Sequence, residues 1–457
     1  MIKALCHLFF AILPFIGHTA VTFDSASEQN HMLSEEKIKE IGVTEWTLKN
    51  GMKVIVKPTD FESDEVFIRF TAPGGLTSLS PEDFAAGDLA AQMAWESGLG
   101  HWNCDQVSVF LYEHSLEIQV KIQPYSRIIE GTADEDGMET YLELVNLYFN
   151  SRKFTKEGFE TVIAQTKETL KKKRSDFDAT FEEAVRAANT KDVLVPYHIH
   201  QEDLERINFK RAKKLYEMAY SNPSDFTCVM VGNLDPDEIK PLVNRYLGSL
   251  NSKGKSEWPS FKCNLAFAEG VTQKVVPIHT RADSLTRVTL PINGKPTQEN
   301  IRKVELLSQI IEGRLRKLFR EKMSTSHGID VGYEFPCYPM LHMPWMTIQY
   351  RSESQKVIVL NEILLRELKL LIEKGPTESE ITEAISQQSR SDEFWLKDNY
   401  FWVASLSNYY MWGWNPKEIL KMHEHSRNLT PDSVRFLLKQ LVDIQNYSII
   451  STQPLKI

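Results

Sequence analysis

Phe84-Ala85-Ala86-Gly87-Asp88-Leu89-Ala90-Ala91-Gln92-Met93-Ala94-Trp95-Glu96-Ser97-Gly98 is an apolar, alanine-rich stretch without a histidine. Its small and apolar residues recur at helical spacing, and a glycine closes it, which predicts a helix with a broad buried face. Upstream, Trp46-Thr47-Leu48 and Lys53-Val54-Ile55-Val56 flank Asn50-Gly51, a hairpin signature. A further strand, Val66 to Phe70, runs on to the turn Ala72-Pro73-Gly74-Gly75. Strands followed by helices point to an α+β sandwich, a mainly antiparallel sheet with helices on one face.

The rest of the chain repeats this plan. Thr155 opens a long helix running to Arg174-Ser175-Asp176, and a strand from Phe226 to Val231 follows after further helices. Thr377 opens a second long helix reaching Arg390-Ser391-Asp392, and the last strand spans Tyr447 to Ser451. Amphipathic helices precede both, Asp136 to Phe149 and Gln355 to Leu371, and strands precede those, Ser115 to Ile122 and Met343 to Arg351. An offset of about 220 residues relates the two series, as a duplication would leave it. The expected division is 1–20 as a signal peptide, 40–250 and 260–457 as two homologous domains, and 251–259 as a polar linker (Asn251 to Trp258, closed by Pro259).

Composition narrows the function classes. The 457 residues are 42% hydrophobic and 25% charged, with a formal net charge of −9. That balance argues for a globular protein with a large core and against a nucleic-acid binder. The one basic run, Lys171-Lys172-Lys173-Arg174, ends a helix, where cations are favoured. Lys3 and the short apolar run Ala4 to Gly17 read as an export signal, implying a periplasmic or secreted protein with no stable membrane span. Beyond that segment, with its Cys6, stand Cys104, Cys228, Cys263 and Cys337, which form no Cys-x-x-Cys pair.

The hairpin, the Gly-Gly turn and the alanine-rich helix together resemble the opening of a domain of the insulinase/pitrilysin family of zinc metallopeptidases. Glu96-Ser97-Gly98-Leu99-Gly100, Val231-Gly232-Asn233 and Leu315-Arg316-Lys317-Leu318-Phe319-Arg320-Glu321 extend the resemblance from about Glu45 to Pro454. Active domains of that family carry His-x-x-Glu-His on this helix, two zinc ligands one turn apart with a glutamate base between. Here Leu89, Gln92 and Met93 stand at those places. The Ala90-Ala91-Gln92 core instead resembles the third, non-catalytic domain of four-domain members. The resemblance therefore implies a non-catalytic half or subunit, with no catalytic residue, no metal ligand and no cofactor of its own. Zinc is expected in a partner subunit that bears the motif, with a peptide or unfolded polypeptide as substrate.

Other chemistry finds little support. Glu168 falls near the family's third zinc ligand but lacks the histidines, and reads as an exposed helical glutamate. His198-x-His200 and His423-x-His425 could chelate only on a strand, and read as surface polar residues. No Gly-x-Ser-x-Gly elbow or phosphate-binding glycine loop occurs. Family members place an arginine and, seven residues later, a tyrosine opposite the zinc site, where they contact substrate and the developing oxyanion. Arg320 fits the arginine position and His327 the tyrosine position, with Tyr333 a second candidate. The resemblance makes these three the substrate-binding residues; the competing reading pairs Arg320 with Glu321 or Glu380. Loss of peptidase work altogether, leaving a binding or assembly subunit, is the alternative function. A third, an autonomous metalloenzyme, would require zinc to co-purify with the chain alone.

Overall fold

The computed structural model describes residues 30–61, 64–173, 177–190, 199–260, 267–278, 283–295, 297–323, 328–335, 344–426 and 429–454. The signal segment, Arg174-Ser175-Asp176, His198 and His327 lie outside them. In chain order the first half contains β1 (Met32–Ile38), β2 (Val43–Leu48), β3 (Lys53–Pro58), β4 (Val66–Pro73), α1 (Pro81–Ser97), α2 (Cys104–Glu113), β5 (Glu117–Ile122) and β6 (Ser126–Ala133). It continues through α3 (Met138–Asn150), α4 (Lys156–Lys173), α5 (Phe177–Asn189), α6 (Gln201–Arg206), α7 (Phe209–Ala219), β7 (Thr227–Gly232) and α8 (Pro236–Leu242). The second half contains β8 (Val271–Ile278), β9 (Asp283–Pro291), α9 (Gln298–Met323), β10 (Ile329–Glu334), β11 (Trp345–Glu353), α10 (Val357–Lys374), α11 (Glu378–Trp395), α12 (Asn399–Trp412), α13 (Pro431–Leu441) and β12 (Tyr447–Pro454).

The two sheets have one topology. The first is ordered β1-β2-β3-β7-β4-β6-β5 and the second β10-β11-β9-β12-β8. Read from β3 and from β8, they place equivalent strands in the same sequence. Each has a single parallel pair, β3 with β7 and β8 with β12, and antiparallel neighbours otherwise. The two extra strands of the first sheet are β1 and β2. Hydropathy does not announce β1, a charged and largely exposed edge strand, but β2 and β3 form the expected hairpin. Its loop is held by Gly51 N–H donating to Leu48 O, and Gly51 takes the left-handed φ of 91° that favours glycine.

Helix α1 follows from its local sequence. Pro81 sits in its first turn with Glu82 and Asp83, where a proline costs no hydrogen bond and acids meet the helix dipole. It stops at Gly98, whose φ is 88° and where a Cβ would fall 2.1 Å from the Trp102 carbonyl oxygen. Phe84, Leu89, Ala90, Met93 and Ala94 are buried against the first sheet with α3 and α7. In the second half, α9, α10 and α13 cover β9, β11 and β12 in the same way.

The opposite face of each sheet is covered by a helix from the other half. Helix α12 lies across β4 and β7, packing Trp402, Val403, Leu406 and Tyr409 with Ile55, Val229 and Val231. Helix α5 lies against β8 and β12, packing Phe181, Val185 and Ala188 with Val276, Ile278, Leu285 and Ile450. Each fully buried aliphatic or aromatic side chain contributes about 1.5–3 kcal/mol, so this reciprocal exchange couples the halves strongly.

Candidate functional site

The helix that would carry a zinc motif is built for packing. Leu89 and Met93 are in the core, Met93 with no exposed surface, while Gln92 faces solvent and reaches Gln165 Oε1 at 3.5 Å. Glu168, on α4, is exposed and pairs with Lys171 at 2.7 Å. His200 caps α6, with its Nε2 3.8 Å from Glu183. His425 lies on the 3-10 turn Pro416–Ser426 rather than on a strand, and the side chain of His423 lies outside those described. Among the described residues, no group of three or more His, Cys, Asp or Glu could hold a metal ion.

Arg320 is exposed near the end of α9, and no described residue pairs with it. Glu380 belongs instead to Arg314, whose Nε and Nη2 donate to it at 2.7 and 2.5 Å. Tyr333, on β10, is half-buried and bonded to Glu305. That acid belongs to a network the sequence reading missed. Arg302 Nη1 donates to Glu305 Oε2 at 2.6 Å, and its Nη2 donates to both Asp392 oxygens at 2.9 and 2.7 Å. Gln388 donates to the Arg302 carbonyl at 3.2 Å and accepts from Ser426. Burial raises the Glu305 carboxyl above its ordinary value, and burial together with Glu305 raises Tyr333. Asp392, the last residue of the recurring Arg-Ser-Asp tripeptide, thus receives a structural role.

The first half leaves the corresponding position open. Asp88 is the eighth residue of α1, as Glu305 is of α9. Asp88 lines a cleft of about 540 Å³ between α1 and β5, with Gln92, Trp95, Tyr148 and Tyr216 on its walls. It is open to solvent along the cleft, has no ion pair among the described residues, and desolvation pushes its carboxyl up to about 6. The signal that could have exposed this pair was an acid at the same helical position in both repeats.

Comparison with known proteins agrees with this anatomy. Residues 206–388 match the family described as "Peptidase M16 inactive domain". An Arabidopsis thaliana protein described as "Zinc protease PQQL-like" is 24% identical over 385 residues, covering 80% of this chain and 37% of that protein. The crystal structure of the periplasmic protease PqqL from Escherichia coli is similar in fold, with a TM-score of 0.82 and 16% identity, over 99% of this chain and 49% of that one. A peptidase M16 inactive domain from Pseudomonas fluorescens gives a TM-score of 0.76 with 14% identity, over 91% of this chain and 98% of that one. The chain therefore spans about two fifths of the length of the Arabidopsis relative and about half that of the E. coli protease chain.

Proposed function

We propose, for a chain that belongs to the insulinase/pitrilysin (M16) peptidase family in its inactive form, that it is the non-catalytic half of a zinc endopeptidase. It pairs with a subunit carrying His-x-x-Glu-His, closes a peptide-degrading chamber with it and contributes Arg320, His327 and Tyr333 to substrate. The two units 40–250 and 260–457, joined by the linker 251–259, form its side of the chamber in the periplasm or outside the cell. One observation supports the reading: the fold is similar to about half of a periplasmic protease, and Leu89 and Met93, which the resemblance sets at the zinc-motif positions with Gln92, are buried in the core. Arg320 is exposed and has no partner among the described residues, which suits a substrate-facing role; the side chain of Glu321, the other carboxylate weighed as its partner, lies outside those described.

The experiment is reconstitution. The isolated chain is expected to hold no stoichiometric zinc and to leave an unfolded peptide intact, and a zinc-bearing family member captured from native extract is expected to restore cleavage. Arg320→Ala lowers turnover of the mixture without dissociating it. Unchanged turnover removes Arg320 from the substrate surface, and a captured assembly without cleavage favours the binding or assembly subunit. One equivalent of zinc in the pure chain, lost on changing His198 and His200, overturns the proposal.

A further inference from the structure

We propose that the cleft between α5 and the second sheet binds a basic amino acid or a basic dipeptide, a molecule with one carboxylate and two cationic groups. The cleft has a volume of about 470 Å³, within the range of small-molecule sites. Helix α5 forms one wall through Glu182, Arg186 and Asn189, and β9, β10 and β11 form the floor.

The floor follows from strand alternation. Trp345, Thr347 and Gln349 are every second residue of β11, and Asp330 and Glu334 share one face of β10, so all five border the cleft. Between the two acids Gly332 brings no side chain, and a Cβ there would lie 3.1 Å from Thr347 Oγ1. None of the five belongs to the apolar seat of α5, which Val276, Ile278, Leu285 and Ile450 make.

Charge selects the ligand. Arg287 is already committed, to Glu182 at 2.7 Å and to Gln349. Glu182, one turn before Arg186 on α5, is therefore not available to Arg186. Among the described residues Arg186 has no ion pair, and its Nε is buried without a hydrogen-bond partner. Asp330 and Glu334 have no ion pair among them either. One guanidinium and two carboxylates thus stand unmatched on the walls of one cleft. Their complement is a carboxylate, which a guanidinium can hold through two parallel N–H···O bonds, together with two cations. The cleft walls desolvate the Glu334 carboxyl and raise it above its ordinary value against the pull of Arg287, a cost that an arriving cation offsets. Trp345 adds apolar and aromatic surface for the stem and charge of a basic side chain. The corresponding cleft under α12 lacks this chemistry, because Glu130 pairs with both of its cations, Arg69 at 2.8 Å and Lys121 at 3.1 Å. The inference goes beyond the proposed function and holds with or without a zinc-bearing partner.

The test is calorimetric titration of the full chain with L-arginine, L-arginine amide and L-citrulline, and with the dipeptides Ala-Arg and Ala-citrulline. The amide lacks the carboxylate and citrulline lacks the side-chain cation, so each is expected to bind at least about ten-fold more weakly than arginine, or Ala-citrulline than Ala-Arg. Tighter binding of arginine than of Ala-Arg identifies the free amino acid as the ligand, and the reverse order the dipeptide; both support the site. Arg186→Gln is expected to abolish the difference between arginine and its amide, and Asp330→Asn with Glu334→Gln the difference from citrulline. Glu157→Gln, at an exposed acid on α4, changes neither. Equal affinity for the arginine and citrulline ligands, a preference over the amide that survives Arg186→Gln, or no binding of either arginine or Ala-Arg overturns the proposal.

Discussion

Arg287, on β9 of the second sheet, makes a two-pronged ion pair with Glu182 on α5, its Nη1 and Nη2 each 2.7 Å from a carboxylate oxygen. The helix comes from the first half and the strand from the second. Gln349, directly opposite Arg287 on β11, accepts from the same guanidinium at 2.8 and 2.7 Å. The first sheet repeats the device: Arg69 on β4 faces Glu130 on β6, pairs with it at 2.8 Å and lies 5.4 Å from the ring centre of Tyr400 on α12. An arginine at the same place in each repeat therefore sits under the helix lent by the other half.

Glu182→Gln should weaken the seat of α5. Glu182 is partly exposed, so solvent screens the pair, and a double-mutant cycle with Arg287→Met is expected to give a coupling of about 1 kcal/mol in urea denaturation. A coupling of zero would mean that apolar packing alone holds the exchanged helix.

Arg127 is a harsher case. It is only 2% exposed, pairs with Asp225 at 3.2 Å and donates to the carbonyls of Pro73, Gly74 and Ala219. The guanidinium also lies 5.2 Å from the ring centre of Trp258, at the end of the predicted linker. Asp225→Ala leaves a buried cation without its counter-charge and is expected to cost about 3–5 kcal/mol, read as a lowered denaturation midpoint. A loss below about 1 kcal/mol would show that the carbonyls suffice.

Lys57 gives a pH signature. It is 8% exposed, donates to Ile41 O at 2.7 Å and lies 4.0 Å from the ring centre of Trp402 on α12, and burial lowers its ammonium to about 8. The unfolded chain keeps the ordinary value of about 10.5, so between these values the unfolded state binds the extra proton. Stability should therefore rise with pH from about 8 to 10.5, by up to about 3 kcal/mol more than in Lys57→Met. Parallel stability–pH curves for the two proteins would refute the shift.

Grafting the missing ligands should damage the fold. Leu89→His with Met93→His places two imidazoles in a close-packed core, and a loss of about 3 kcal/mol or more is expected. Thermal melting checks this; an unchanged midpoint would mean that the helix tolerates polar ligands.

Much of the architecture was legible because it is local. Thr377 was expected to open a helix, and its hydroxyl accepts from the Glu380 N–H while the Glu380 carboxylate accepts from the Thr377 N–H, a reciprocal cap that four consecutive residues encode. The Asn50-Gly51 hairpin and the glycine stop of α1 are equally short-range. The acid at Asp88 was visible but uninformative, since nothing along the chain says that Glu305 meets Arg302 while Asp88 meets solvent. Tyr333 was singled out by its distance from Arg320 along the chain, and the fold ties it to Glu305.

The sequence by itself determined the α+β class and the succession of strands and helices in each half, because hydropathy period and turn residues lie within a few positions of one another. Only the tertiary structure decided that α5 and α12 change places and that Arg69 and Arg287 sit beneath them. It alone left Asp88 open on the cleft between α1 and β5. These relations join residues far apart in sequence, and they are settled by which apolar faces remain uncovered once both sheets have formed.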